Sequence, residues 1–147
     1  MSETTASLQR TPLWETHQNL KARLVPFAGW DMPVQYAGVI PEVRAVRENC
    51  GLFDVSHMGQ FVFSGPRVTD ELNKIVSADW SRVAVGRAAY ALLLNDNGGV
   101  IDDIMGYRLS EDEWLIVVNA SRADVDEAHF RAQLSQNITF RVLATRM

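Results

Sequence analysis

The sequence predicts an α+β fold in which a largely antiparallel sheet carries helices packed on one of its faces. Alternation of apolar and polar residues, the pattern of half-buried strands, recurs from residue 60 to the end of the chain. Two segments with helical spacing interrupt these strands, and an Asn/Asp/Gly-rich turn joins two apolar runs as in a β-hairpin. The predicted order is strand, helix, three strands, helix, strand, which two helices on one face of the sheet would bury.

Before residue 60 the sequence predicts fewer strands and more loops. Thr11 and Pro12 are typical of a helix start, and the proline-punctuated segment 26–33 predicts a structured loop or a short strand. A second helix would end at Cys50, where we expect a packed free thiol. Alternation over residues 53–56 predicts one short strand.

From residue 60 onward the predicted elements follow one another closely. The strands and helices are expected, in chain order, at residues 60–64, 68–76, 88–94, 100–108, 114–118, 121–132 and 138–142. In the last predicted helix, Val125, Ala128 and Ala132 form the stripe that we expect to be buried.

These patterns divide the chain into three predicted parts. Residues 1–10 are polar and predict a flexible tail. Residues 11–59 hold many large apolar groups but few strands, which is typical of a substructure whose other half lies elsewhere. Residues 60–147 predict a ferredoxin-like α+β substructure.

Composition is that of a globular protein and excludes several classes of function. The 147 residues are 47% hydrophobic and 22% charged, and the net charge of −4 offers no basic patch for nucleic acid. No apolar run reaches the roughly 20 residues of a membrane span. A single cysteine and three widely spaced histidines show neither a disulfide nor metal-ligand spacing, so we expect no metal and a cytoplasmic location.

The adjacent acids Asp102 and Asp103 are the strongest candidates for chemistry. They begin an apolar run after Gly98 and Gly99, and neighbouring side chains of a strand point to opposite faces of its sheet. One of the two carboxylates should therefore point inward, where it needs a partner, a ligand or a proton. In one interpretation the inward acid lines a pocket and holds a cationic nitrogen or a proton. In the other, one acid faces solvent and the other stabilises the turn.

The remaining candidates have ordinary structural explanations beside the functional ones. Asp54, Ser56 and His57 are close in sequence, but strand alternation separates the serine from the histidine, and nucleophile-elbow glycines are missing. Met58 suits either a core or an apolar binding surface. The tyrosines and Asn119 beside the apolar runs suit half-buried packing as well as a pocket wall.

Six ordered stretches carry a resemblance to the glycine cleavage system T-protein, the aminomethyltransferase family. They are residues 11–13, 27–36, 42–47, 51–59, 95–103 and 117–120. The resemblance runs from about residue 11 to the end and covers only the N-terminal part of the family, whose members are more than twice as long. Dimethylsulfoniopropionate demethylases and the folate domains of sarcosine and dimethylglycine dehydrogenases resemble it too.

The resemblance implies an aminomethyl transfer that depends on tetrahydrofolate. The aminomethyl carbon would pass from the lipoyl arm of H-protein to tetrahydrofolate, or this chain would be a truncated or half form of that enzyme. Asp103, pointing inward, would be the catalytic carboxylate beside the folate nitrogens. The residues implied to line the pterin pocket with it are Met58, Tyr90, Met105, Tyr107 and Asn119.

A second function remains open for a chain of this length. It would be a non-catalytic folate-binding or interaction module that needs a partner chain, either a C-terminal half or a second copy. The implied partners are then tetrahydrofolate, H-protein and that completing chain. Neither nucleic acid nor a membrane is expected among them.

Overall fold

The computed structural model describes residues 7–143, which divide into two units, residues 7–57 and residues 58–143. Helices and antiparallel strands occur in both, so the α+β prediction is confirmed. We call residues 7–57 unit 1 and residues 58–143 unit 2. None of the helices within the described range has the length and apolar content needed to cross a membrane.

Unit 1 contains a helical turn, a two-stranded hairpin and a longer helix. These elements are α1 (Trp14–Asn19), β1 (Arg23–Phe27), β2 (Trp30–Gln35) and α2 (Val39–Glu48). Ala28 and Gly29 join the strands and both have positive φ, as two-residue hairpin turns require. The segment predicted as a loop or short strand is therefore a hairpin. Gln9, from the described part of the predicted tail, bridges Trp30, while residues 1–6 lie outside the described range.

Two predictions for unit 1 are wrong. Residues 53–56 form no strand, because Asp54 Oδ1 accepts a hydrogen bond from the Ser56 backbone N–H at 2.9 Å and folds the segment into a turn. Cys50 is exposed rather than packed, and none of the residues of α2 is buried.

Unit 2 contains the predicted alternation of strands and helices. Its elements are β3 (Gly59–Ser64), α3 (Val68–Leu72), a 3₁₀ turn (Trp80–Arg82), β4 (Ala88–Leu94), β5 (Val100–Ser110), β6 (Glu113–Val118), α4 (Ala123–Gln133) and β7 (Thr139–Leu143). The strands form an antiparallel sheet in the order β4-β5-β6-β3-β7. The first strand of the unit, β3, therefore lies between the last two, β6 and β7.

The core of unit 2 lies between α3, α4 and one face of the sheet. Phe63, Trp114 and Phe130 are each 0% exposed within one cluster of buried residues. The Trp80 and Trp114 rings stack with centroids 4.8 Å apart. Gly106 on β5 makes room for them, because a Cβ there would lie 2.6 Å from a Trp80 ring carbon.

The predicted buried stripe of α4 is wrong. Val125, Ala128 and Ala132 are exposed, whereas Asp126 and Phe130 are fully buried. The two buried residues are four apart and share one face of the helix. A carboxylate on this face is the reason that apolar periodicity alone selects the wrong stripe.

Candidate functional site

The face of the unit 2 sheet that α3 and α4 leave uncovered brings most of the predicted site residues together. Tyr90 on β4 pairs with Met105 on β5, and Leu92 pairs with Asp103. Tyr107 lies two residues further along β5, on the same face. We call this surface, defined by Tyr90, Asp103, Met105 and Tyr107, the open face.

The side chains of the open face are accessible. Tyr90 is 56% exposed and Tyr107 is 40% exposed, while Met105 is partly buried. Two phenol rings beside a thioether form a flat apolar surface with polar ends. Such a surface suits a planar heteroaromatic ring.

The turn that places Asp103 is held by its own side chains. Asn95 Oδ1 accepts hydrogen bonds from the backbone N–H groups of Asn97 and Gly99, at 3.0 and 2.9 Å. Gly98 has a φ of 77°, a conformation that few residues other than glycine adopt readily. The Asn/Gly composition thus sets the β4–β5 register and with it the faces that Asp102 and Asp103 occupy.

The structure corrects the expected direction of the two acids. Asp102, with Ile104 and Gly106, points to the core face and is 6% exposed. Asp103 was expected to point inward, but it is exposed on the open face. Strand alternation requires this division, because the core-facing set 102, 104 and 106 excludes residue 103.

Asn119 connects the two acids. It follows the last residue of β6, and its Nδ2 donates to Asp102 Oδ1 at 2.9 Å and to Asp103 Oδ1 at 2.9 Å. Its backbone N–H donates to Asp102 Oδ2 at 3.0 Å. Among the described residues, Asn119 alone donates to the Asp103 side chain. The carboxylate is therefore oriented while it remains accessible to a ligand.

Met58 lies further from Tyr90 than the residues of the open face do. It precedes Gly59, which pairs with Val118 at the end of β6 next to Asn119. Strands β5 and β6 separate β3 from Tyr90 on β4, a distance of about 14 Å across the sheet. Met58 and Tyr90 thus mark two sides of the surface rather than one contact.

A buried acid pair lies beneath this surface and was missed by the sequence analysis. Asp126 on α4 is 0% exposed, and its carboxyl group lies beside that of Asp102, where a hydrogen bond forms only if one of the two acids carries a proton. Burial, and then the hydrogen bond and charge of Asp102, raise the pKa of Asp126 to about 8, although Arg122 acts to lower it. The signal in the sequence is an aspartate four residues before Phe130, at the spacing of one helix face.

Unit 1 contains a separate chain of polar groups that local sequence spacing does not reveal. Tyr36 Oη lies 2.8 Å from His17 Nδ1, and His17 Nε2 lies 2.8 Å from Asp54 Oδ2. Burial acts to raise the pKa of Asp54, but hydrogen bonds from Ser56 and His17 outweigh it and hold that pKa well below its usual range. Asp54 thus pairs with His17 rather than with the neighbouring His57.

Comparisons with known proteins agree on one group of relatives. A family model described as the GCVT N-terminal domain matches residues 13–147. The aminomethyltransferase of Symbiobacterium thermophilum is 54% identical over 120 residues, which are 82% of this chain and 32% of that protein. The aminomethyltransferase of Rubrobacter xylanophilus is 51% identical over 125 residues, which are 85% of this chain and 33% of that protein.

A solved structure shows the same arrangement of elements. The crystal structure of glycine cleavage system aminomethyltransferase T from Bartonella henselae superposes with a TM-score of 0.87 and 34% sequence identity. The match covers 93% of this chain and 38% of that one. The chain therefore spans about a third of the length of the curated relatives that it matches.

Proposed function

The chain belongs to the GCVT N-terminal domain family, that of the glycine cleavage T-proteins, and we propose that it is the tetrahydrofolate-holding part of such an aminomethyltransferase. It corresponds to the N-terminal part of these proteins. The proposed cofactor is tetrahydrofolate, and the proposed protein partner is lipoyl-bearing H-protein. The exposed, unpaired Cys50 is consistent with the reducing cytoplasm as the proposed location.

In the proposed reaction, an aminomethyl group on the lipoyl arm of H-protein gives up its carbon to tetrahydrofolate. Ammonia leaves, and 5,10-methylenetetrahydrofolate and dihydrolipoyl protein remain. The attacking folate nitrogen becomes positively charged as its new bond to carbon forms. A carboxylate beside it stabilises that charge, which is the role we propose for Asp103.

The observation that carries this proposal is the register of β4 and β5. It places Tyr90 beside Met105 and puts Asp103 on the same face, with Tyr107 at the other end. The two rings and the thioether would contact the faces of a reduced pterin, and the oriented Asp103 would reach its nitrogens. Asn119 would hold Asp103, and Met58 would close the far side of the surface.

The chain corresponds to about a third of its relatives' length, and the proposal gives their other two thirds a role at Asp103. In the proposal, the remaining two thirds of a full T-protein cover the open face and exclude water from the folate. A carboxylate in such a water-poor site interacts more strongly with a developing positive charge than one in solvent. The chain alone would then bind folate more weakly than the whole protein does.

Calorimetric titration with tetrahydrofolate tests the binding part of the proposal. The unmodified chain should bind saturably, and Asp103→Asn should weaken binding or separate binding from turnover. Asp96→Asn is the matched control, since it makes the same chemical change in the exposed hairpin turn. Equal loss in both variants, or no binding by a folded chain, would contradict the proposal.

Turnover is tested by supplying a C-terminal portion of a relative. The chain is mixed with a separately produced C-terminal portion of a T-protein and with aminomethyl-loaded H-protein, and methylenetetrahydrofolate formation is followed. Activity that appears only on mixing, and that Asp103→Asn removes, is the expected result. Binding without any turnover on mixing would favour the second candidate below.

The second candidate function is a non-catalytic folate-binding or interaction module that needs a partner chain. The exposed apolar surface of unit 1 favours it: Ile40 is 69% exposed, Phe53 is 68% exposed and Leu52 is 100% exposed. A C-terminal half or a second copy would cover these groups. Sedimentation velocity with and without the C-terminal portion distinguishes these two partners. A chain that stays monomeric alone and in the mixture would exclude this function.

A further inference from the structure

We propose that Asp126 is a positioning residue: as a neutral acid it donates a hydrogen bond to the buried Asp102 carboxylate and so holds Asn119 and, through it, Asp103 in place. The inference rests on the proposed function only where it assigns Asp103 to folate. Its structural part concerns the line of contacts Asp126–Asp102–Asn119–Asp103 and can be tested without a ligand.

Asp126 is buried away from hydrogen-bond donors. It is 0% exposed, and among the described residues no N–H or O–H group donates to either of its carboxyl oxygens. A buried carboxylate without donors is strongly unfavourable. Asp126 therefore needs a proton, and as a neutral acid it needs an acceptor for that proton.

The acceptor for that proton is Asp102. Asp102 is 6% exposed, and its carboxyl group is the one that lies beside Asp126. Two buried carboxyl groups in contact do not both ionise, because their charges repel in a region of low dielectric constant. One proton is thus shared by the pair.

The hydrogen bonds of the two acids decide which one carries the proton. Asp102 accepts hydrogen bonds from two N–H groups of Asn119, at 3.0 and 2.9 Å, and both bonds favour its charged form. Asp126 accepts none from the described residues. The raised pKa of Asp126 agrees with a proton on that acid.

Asn119 connects Asp102 to the open face. The Asn119 side-chain amide has two hydrogens, and Nδ2 reaches both Asp102 and Asp103. A charged Asp102 selects the amide orientation in which nitrogen faces the acids, so the second hydrogen is directed to Asp103. Ionisation of Asp126 would push Asp102 away and release this constraint.

The test compares three substitutions on one helix. Asp126→Asn keeps a neutral N–H donor for Asp102, Asp126→Leu removes the donor at similar volume, and Asp124→Asn makes the same chemical change at an exposed position of α4. The readouts are the Asn119 side-chain amide signals and the Asp126 carboxyl carbon signal in NMR spectra of the 147-residue chain. Tetrahydrofolate affinity between pH 6 and 9 is measured on the same samples.

The expected outcome has a spectroscopic and a binding part. The Asp126 carboxyl carbon stays in its protonated position at pH 7. The Asn119 amide signals move in Asp126→Leu but remain in Asp126→Asn and Asp124→Asn. Folate affinity falls roughly tenfold in Asp126→Leu, as for one lost hydrogen bond, and Asp126→Asn removes the weakening above pH 8 that the unmodified chain shows.

Two results would overturn the inference. One is an Asp126 carboxyl group that titrates near pH 4, and the other is an Asp126→Leu chain whose Asn119 signals do not move. A folded chain that binds no tetrahydrofolate counts against the proposed function alone, since the carboxyl and amide signals decide this inference by themselves.

Discussion

The two units of the chain bury their apolar residues very differently. Unit 2 closes a core between its sheet and its helices, in which Phe63 and Trp114 are 0% exposed. Unit 1 leaves the whole of α2 without a buried residue, and Phe53 remains 68% exposed. Unit 1 nevertheless buries a polar pair, which His17 and Asp54 form.

This difference shows which part of the chain can build a core from its own residues. A unit whose strands all find partners within the segment builds its own core, whereas a unit missing its partners exposes apolar surface. Unit 1 is of the second kind. A cavity of about 610 Å³ lies beside α2, and its lining includes Val43, Leu52 and Phe53. The comparison predicts that unit 2 supplies most of the stability of the chain.

The largest expected effect comes from one change made in both units. Phe63→Ala should lower the free energy of unfolding by about 3–5 kcal/mol, because it empties a fully buried site. Phe53→Ala removes the same atoms from an exposed position and should change it by less than about 1 kcal/mol. Urea unfolding of both variants measures this, and equal losses would contradict the comparison.

A smaller loss is expected where the core of unit 2 has no spare room. Gly106→Ala adds a single methyl group that would lie 2.6 Å from the Trp80 ring, and overpacking of this kind costs about 1–3 kcal/mol. A near-ultraviolet circular dichroism signal that does not change in Gly106→Ala would show that the indole is not packed there.

The two buried acids should give the units opposite pH dependences. Asp54 has a lowered pKa, so its contribution is present above the unfolded value of about 3.9 and is lost as the pH falls below it. Asp126 has a pKa raised to about 8, so its contribution is complete below about 3.9 and is lost as the pH rises to 8. Within its pH window, each of these protons changes the free energy of unfolding by about 1.4 kcal/mol per pH unit.

Hydrogen exchange resolved by residue measures this for each unit separately. Protection in unit 1 should fall in acid and protection in unit 2 should fall towards pH 8. Asp54→Asn should remove the first dependence and Asp126→Asn the second. The same sign of slope in both units would show that the assigned protonation states are wrong.

The smallest expected effect is on stability at the exposed surface of unit 1. Leu52→Ser should leave the free energy of unfolding within about 0.5 kcal/mol, because the side chain is 100% exposed. It should nevertheless reduce binding of an apolar dye, or of a completing chain, to this surface. Unchanged dye binding would mean that Leu52 takes no part in it.

The parts of the fold that could be predicted from the sequence are those governed by local rules. The β4–β5 hairpin follows from its Asn/Asp/Gly turn, and alternation places Asp103, Met105 and Tyr107 on one face. The order of elements in unit 2 follows from periodicity alone. These rules need no knowledge of distant residues.

The parts that could not be predicted depend on contacts between distant residues. The buried stripe of α4 contains Asp126, and the acid beside it, Asp102, lies on a different element of the chain, β5. His17 joins Asp54 across 37 positions of sequence, a pairing that spacing does not reveal. The expected inward direction of Asp103 was wrong because the pattern identifies an inward acid without saying which of two neighbours it is.

The central claim is that folate binds on the open face of unit 2, and residue-resolved NMR on adding tetrahydrofolate tests it most directly. The account predicts saturable shifts at Tyr90, Asp103 and Tyr107, with the cavity beside α2 unaffected. Shifts confined to residues 39–54, with the open face unchanged, would contradict it.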